Sequence, residues 1–139
     1  MTPATGRLHR LRAPLGAAAA VGLAAVALRL RDPHEHGSWG FCPSKALTGW
    51  DCPGCGGLRA VNDLTHGEVV QAWHSNALFV SLIPVVVLVW IGWVVFAATG
   101  RRPAVAVSLG RLALVVLPVV AIAFAVVRNT PWGRTFYAD

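Results

Sequence analysis

Charge is what this 139-residue chain has least of. Asp, Glu, Lys and Arg together make up 13% of it, where an ordinary soluble domain carries about 25%. The deficit excludes a surface wetted on all sides, and a hydrophobic content of 55% points the same way. Sets of residues for catalysis are missing too. The sequence holds no Ser-His-Asp set, no carboxylate pair spaced for acid–base work, no H-E-x-x-H and no phosphate-cradling glycine loop; Asp51 stands beside Cys52 as a single carboxylate. The reading leans away from an enzyme. No βαβ alternation surrounds the one Cys-x-x-C pair, which removes a thioredoxin-like fold. Lysine is nearly absent, one against eleven arginines, and alanine and valine abound; this composition suggests a GC-rich, hence bacterial, genome.

What is there is apolar and comes in blocks. "APLGAAAAVGLAAVAL" runs over 13–28, "ALFVSLIPVVVLVWIGWVVFAATG" over 77–100 and "LALVVLPVVAIAFAVV" over 112–127. A transmembrane helix needs about 18 or more apolar residues. The second block exceeds this. The first and third reach it if Arg12, Arg29, Arg111 and Arg128 extend their charged ends to the headgroups. A cleaved signal peptide is the alternative for the first block. Its apolar core is long for that role, and Arg29 and Arg31 stand where a small-residue cleavage site belongs.

A net charge of +6 and a pI near 10.6 raise the question of nucleic acid. The arginines are not gathered into one patch, so nucleic acid is excluded as a partner. Arg7, Arg10 and Arg12 precede the first block, and Arg101, Arg102 and Arg111 lie between the second and third. By the positive-inside rule the N-terminus and the 101–111 loop are cytoplasmic. The 31–76 loop and the C-terminal tail are then extracytoplasmic, in a multi-pass protein of the cell membrane whose surroundings are the lipid bilayer.

Residues 1–10 read as a basic disordered tail ahead of a single membrane domain, 11–139. Gly16, Ala20 and Ala24, four apart, suit either a close helix neighbour or a plain anchor. Pro33, Gly37, Gly40, Pro43 and Gly49 break up the segment after the first helix, which is expected as a loop. Its Trp39, Phe41 and Trp50 suit headgroup depth. Leu58, Val61 and Leu64 mark a short helix over 57–64. Thr65 and Glu68 form a capping-box pattern for an amphipathic interfacial helix over 66–74, with Val69, Val70 and Trp73 on its apolar side. Pro84 and Pro118 are expected to kink their spans, Trp90 and Trp93 to pack between helices or face lipid, and Asn76 to hydrogen-bond loop backbone.

The chemistry concentrates in "WDCPGCGGLRA", 50–60. A Cys-x-x-Cys turn lets two sulfurs face one point, and Zn–S bonds of about 2.3 Å can close on a shared ion. Pro53 pre-sets the backbone after the first sulfur, and Gly56 tolerates the positive φ that turns amides inward. A structural zinc takes four ligands. Cys42, Cys52 and Cys55 with His66 or His74 supply a Cys3His set, and zinc is the cofactor it suits. Three other readings stay open: a structural disulfide, which an oxidising compartment would preserve, a redox-active pair, and inert turn cysteines. His34 and His36, flanking Glu35, read as a solvated loop tip. Arg59 suits thiolate or lipid phosphate as well as plain solvent.

"CPSKALTGWDCPGCGGLRAV", then "HGEVVQAWHSNAL" and "RNTPW", resemble the DUF2752 family of small bacterial membrane proteins over roughly 41–132. Cys42, Pro43, Thr48, Gly49, Cys52, Pro53, Cys55, Gly56, Arg59, Ala60, Gly67, Glu68, Ala72 and Asn76 fall on the family pattern. Leu58 and Ala77 depart from its usual threonine and proline. The resemblance implies the membrane class and the cysteine motif and carries no activity. The expected fold is an all-α integral membrane protein with three transmembrane helices, about 11–30, 77–100 and 111–128, and a cysteine cap over 31–76. Two roles follow: an accessory or assembly subunit of a larger membrane complex, or a protein that handles metal or thiols on its own.

Overall fold

The computed structural model describes residues 3–35, 37–39, 41–100 and 104–137, the side chains of 3–5, 7 and 104–111 excepted. Six helices and no strand lie among the described residues: α1 Pro3–Leu30, α2 Pro43–Thr48, α3 Gly57–His66, α4 Val69–Thr99, α5 Ala104–Arg128 and α6 Pro131–Phe136. His36, Gly40, Arg101 and Arg102 lie outside the described residues. The stretch Leu8–Leu30 within α1, and α4, are each long and apolar enough to cross a membrane; Leu112–Arg128 is a shorter apolar stretch. Large apolar side chains such as Leu23, Leu88, Val89, Leu114 and Ile122 point outward, the arrangement an apolar surrounding permits.

Two long helices run past each other in opposite directions. At the C-terminal end of α1, the Asn62 side-chain amide donates to the Leu28 carbonyl at 2.7 Å, and Arg29 donates to the Thr65 carbonyl. Further down, the Trp90 indole N–H donates to the Pro14 carbonyl at 3.0 Å, so Trp90 does pack between helices. Gly100, ending α4, lies beside the Arg10 guanidinium near the start of α1. Gly16, Ala20 and Ala24 are exposed, and nothing approaches within 4 Å of a side-chain position at Gly16; the close neighbour that spacing allows is not among the described elements.

Several expectations are corrected. α1 already runs from Pro3, so residues 3–10 continue a helix where a disordered tail was expected. The 31–50 segment, expected as a loop throughout, contains α2. Pro43 occupies its first turn, where a missing N–H costs nothing, and Gly49 ends it at φ 72°. Residues taken as breakers are here a start and a stop. Thr65 does not cap a following helix. It lies inside α3, its hydroxyl donating to the Asn62 carbonyl at 2.7 Å. α3 ends instead in a Schellman turn: Glu68 N–H to Asp63 O at 2.9 Å and Gly67 N–H to Leu64 O at 3.1 Å, with Gly67 at φ 83°.

α4 is two helices joined at Asn76, whose backbone is extended (φ −162°, ψ 94°). The first piece, from Val69, replaces the interfacial helix expected over 66–74. The second is the membrane-length run. α6, a short helix absent from the sequence reading, starts at Thr130, which accepts from the Gly133 N–H at 3.1 Å, with Pro131 at its first position.

Candidate metal centre

Three sulfurs meet where α2, the 50–56 turn and the head of α3 converge. Cys42 caps α2. Cys52 and Cys55 flank a turn closed by the Cys55 N–H on the Cys52 carbonyl at 3.1 Å. The Sγ–Sγ separations are 3.1 Å for Cys42–Cys55, 3.3 Å for Cys52–Cys55 and 3.5 Å for Cys42–Cys52. All three cysteines are free and half-buried. Their sulfurs are the group of metal-ligating atoms that lie mutually within 4.8 Å among the described residues.

The spacing can be tested against one ion. Sulfurs at about 2.3 Å from a tetrahedral zinc sit about 3.8 Å apart. The observed edges fall short of that by about 0.3–0.7 Å, a small outward movement. Disulfide geometry, by contrast, needs about 2.05 Å for one pair and has no use for a third sulfur at equal range. The donor set fits a single thiophilic ion.

The turn is fastened from below by one side chain. Asn76, 0% exposed, donates both amide hydrogens into it, to the Pro53 and Cys55 carbonyls, each at 2.9 Å. Its carbonyl oxygen accepts from the Phe79 N–H at 2.9 Å. That last bond, with the extended backbone, makes Asn76 the N-cap of the membrane-length part of α4. One residue thus starts the long helix and holds the cysteine turn. Gly56 explains its own identity: φ is 76°, and a Cβ there would collide with the Ser75 carbonyl oxygen.

The surrounding polar groups tie the cap to the other helices. The Asp51 N–H donates to the Asn129 side chain at 3.0 Å, and the Asn129 amide donates back to the Asp51 carbonyl at 2.9 Å. Arg128, 1% exposed, donates to the Ser75 carbonyl at 3.2 Å and lies over the Tyr137 ring. The Ser75 hydroxyl donates to Asp63 at 2.7 Å. Asp63, 3% exposed, also faces the His34 ring at 3.4 Å, and the other nitrogen of that ring lies 2.8 Å from Asp32. The His34 amide and ring hold the Asp32 carboxyl below its usual value. Sequence reasoning missed Asp63, Ser75 and Asn129, and it sent the charge of Arg128 to the headgroups, where the structure buries it against the Ser75 carbonyl. For Arg128 and Asn129 the "RNTPW" string was the available signal.

The thiols are not equivalent. Burial pushes Cys42 up, but the Lys45 amide, approaching its sulfur without closing a capping bond, outweighs it together with the thiols of Cys55 and Cys52 and the Cys52 amide. Cys42 ends lowered to about 7. Burial raises Cys55, and hydrogen bonding with the two neighbouring thiols raises it further.

The structure does not bring His66 or His74 to the sulfurs. His66, in the last turn of α3, turns its Nδ1 back on the Asn62 carbonyl at 2.9 Å. His74 lies against the Phe136 ring, centroids 4.5 Å apart, with its Nδ1 3.3 Å from the Phe136 carbonyl. Each ring is held by a neighbour in chain or space that the pattern of histidines does not reveal.

A helical protein with two helices of membrane length and a three-cysteine cap is the class these features define. Within it, residues 42–90 match the family model described as "Protein of unknown function (DUF2752)". The match agrees with the resemblance carried by Cys42 to Asn76, over a shorter stretch than 41–132. No curated protein and no solved structure matches the chain significantly.

Proposed function

We propose that the chain is a three-span protein of the cell membrane whose extracytoplasmic cap holds one zinc ion on Cys42, Cys52 and Cys55. It catalyses no reaction and acts as an accessory or assembly subunit of a larger membrane complex. The observation that carries the metal reading is the near-equal approach of three sulfurs, 3.1–3.5 Å, on a turn bolted to the long helix by Asn76. The ion's part is to lock α2 to that turn, because metal binding to a pre-arranged donor set is folding energy for the cap. The third span is α5, which ends at Arg128 on the cap side. The subunit role is supported by the exposed Gly16, Ala20 and Ala24 on α1, a surface on which another helix can pack closely. The test is zinc per chain in mild detergent, for the wild type and for each single Cys→Ser variant, with co-purifying proteins identified in the same preparation. One zinc per wild-type chain, lost in all three variants, is expected. Full zinc in any one variant sinks the three-sulfur site, and a chain that purifies alone from its native membrane sinks the subunit role.

A further inference from the structure

The three sulfurs are held with very different firmness. The Cys52–Cys55 turn is fastened by both Asn76 donors, by the Asp51–Asn129 pair and by the close seat of Gly56 on the Ser75 carbonyl. Cys42 rides on α2, a six-residue helix with no buried residue. α2 meets the turn through an exposed bond, Ser44 to the Trp50 carbonyl at 3.0 Å, and through Lys45, itself exposed, on the half-buried Asp51 carboxylate at 3.3 Å. Any closing of two sulfurs to bonding distance is therefore easiest by movement of Cys42. Its nearer neighbour is Cys55, at 3.1 Å against 3.5 Å for Cys52. Reaching the S–S length of about 2.05 Å takes a shift of about 1 Å.

Resting on the metal reading above, we propose that the cluster is a redox-gated metal site that reacts with exogenous disulfides, closing a Cys42–Cys55 bond and releasing its ion. The exchange balances without a further reactant. One cysteine thiolate attacks a sulfur of the exogenous disulfide; a protein–S–S–R bond forms and one R–S⁻ leaves. The second cysteine thiolate attacks the protein-bound sulfur, the Cys42–Cys55 bond forms and the second R–S⁻ leaves. Two protein sulfurs are oxidised and the exogenous disulfide is reduced to two thiols, which take up two protons. Three thiolate donors fall to one, Cys52, and a single sulfur on the rigid turn does not hold the ion. The bolted Cys-x-x-Cys pair, the one the sequence spacing suggests for redox work, is the pair that stays apart.

The experiment uses the full chain in detergent, reduced, loaded with zinc and titrated with oxidised glutathione. Released zinc is read with a chromogenic chelator, and the disulfide is mapped by alkylation and peptide mass. Expected are one zinc released per disulfide formed, a Cys42–Cys55 crosslink and one alkylated thiol, Cys52. Cys52→Ser, which loses the zinc, still forms the same crosslink, at a rate within about threefold of the zinc-free wild type. A Cys52–Cys55 crosslink, or release without any disulfide, overturns the proposal; so does zinc retained through a hundredfold excess of the oxidant. If the reduced chain takes up no zinc, the metal reading fails by itself. The mapped crosslink then still decides the pairing, with Cys42–Cys55 upholding that part and Cys52–Cys55 overturning it.

Discussion

Replacing Asn76 by alanine removes three hydrogen bonds at once, and their sum can be worked from their separate environments. The Phe79 N–H loses its cap, at a cost of about 0.5–2 kcal/mol. The Pro53 and Cys55 carbonyls lose their donors beside a side chain that is 0% exposed. A buried group left unsatisfied costs about 1–3 kcal/mol. Some relief comes from water entering a half-buried turn, so the total expected is about 3–5 kcal/mol. Asn76→Asp separates the two jobs. Its carboxylate can still cap Phe79, but it has no hydrogens for the two carbonyls and sets a negative charge against them. If the turn is the larger part, Asn76→Asp is at least as damaging as Asn76→Ala. The assay is unfolding of the purified chain in detergent, followed by zinc affinity for both variants. A loss under about 0.5 kcal/mol, the usual scatter of surface substitutions, for Asn76→Ala refutes the reasoning. An Asn76→Asp variant that behaves like wild type refutes the division of labour.

Three further outcomes follow. Gly56→Ala puts a Cβ on the Ser75 carbonyl at positive φ; the strained backbone alone costs about 1–2 kcal/mol, and zinc affinity measured by competition should fall with it, whereas unchanged affinity would contradict the seating of that turn. Thr130→Ala removes a formed cap and should cost about 0.5–2 kcal/mol in the same unfolding assay, while Thr65→Ala should stay within about 0.5 kcal/mol; the reverse order would restore Thr65 as a cap. In the metal-free chain Cys42, lowered to about 7, is thiolate at a lower pH than an ordinary cysteine, so iodoacetamide should label it first, with a rate rising through about pH 7, and Cys55 last; equal rates sharing a midpoint near 9.0 would be inconsistent with that arrangement.

The parts legible in the sequence were those written in local spacing. Apolar runs announced the long helices. Cys-Pro and Cys-Pro-x-Cys-Gly announced a gathering of sulfurs, and Asn76 stood where a chain entering a long helix needs a polar anchor. Proline and glycine misled between 31 and 50, because the same two residues that break a helix interior also begin and end a short helix, as Pro43 and Gly49 do. Thr65 and Glu68 matched a capping box in spacing, but Gly67 between them stops α3 and turns the chain, which the box pattern does not register. The fourth-ligand histidines could not be tested by spacing at all. The carbonyl His66 faces is one turn away, the one His74 faces is 62 residues away, and the Asp51–Asn129 pair spans 78. Such closures depend on how helices dock, and no local pattern encodes them.

The central claim is that three sulfurs share one ion, and X-ray absorption at the zinc edge of the purified, reduced chain tests it most directly. The account predicts a shell of three sulfurs at about 2.3 Å completed by one lighter atom that is not supplied by His66 or His74. The spectrum should therefore be unchanged in His66→Ala and His74→Ala. A shell of two sulfurs, or one whose nitrogen contribution disappears in either histidine variant, would contradict it.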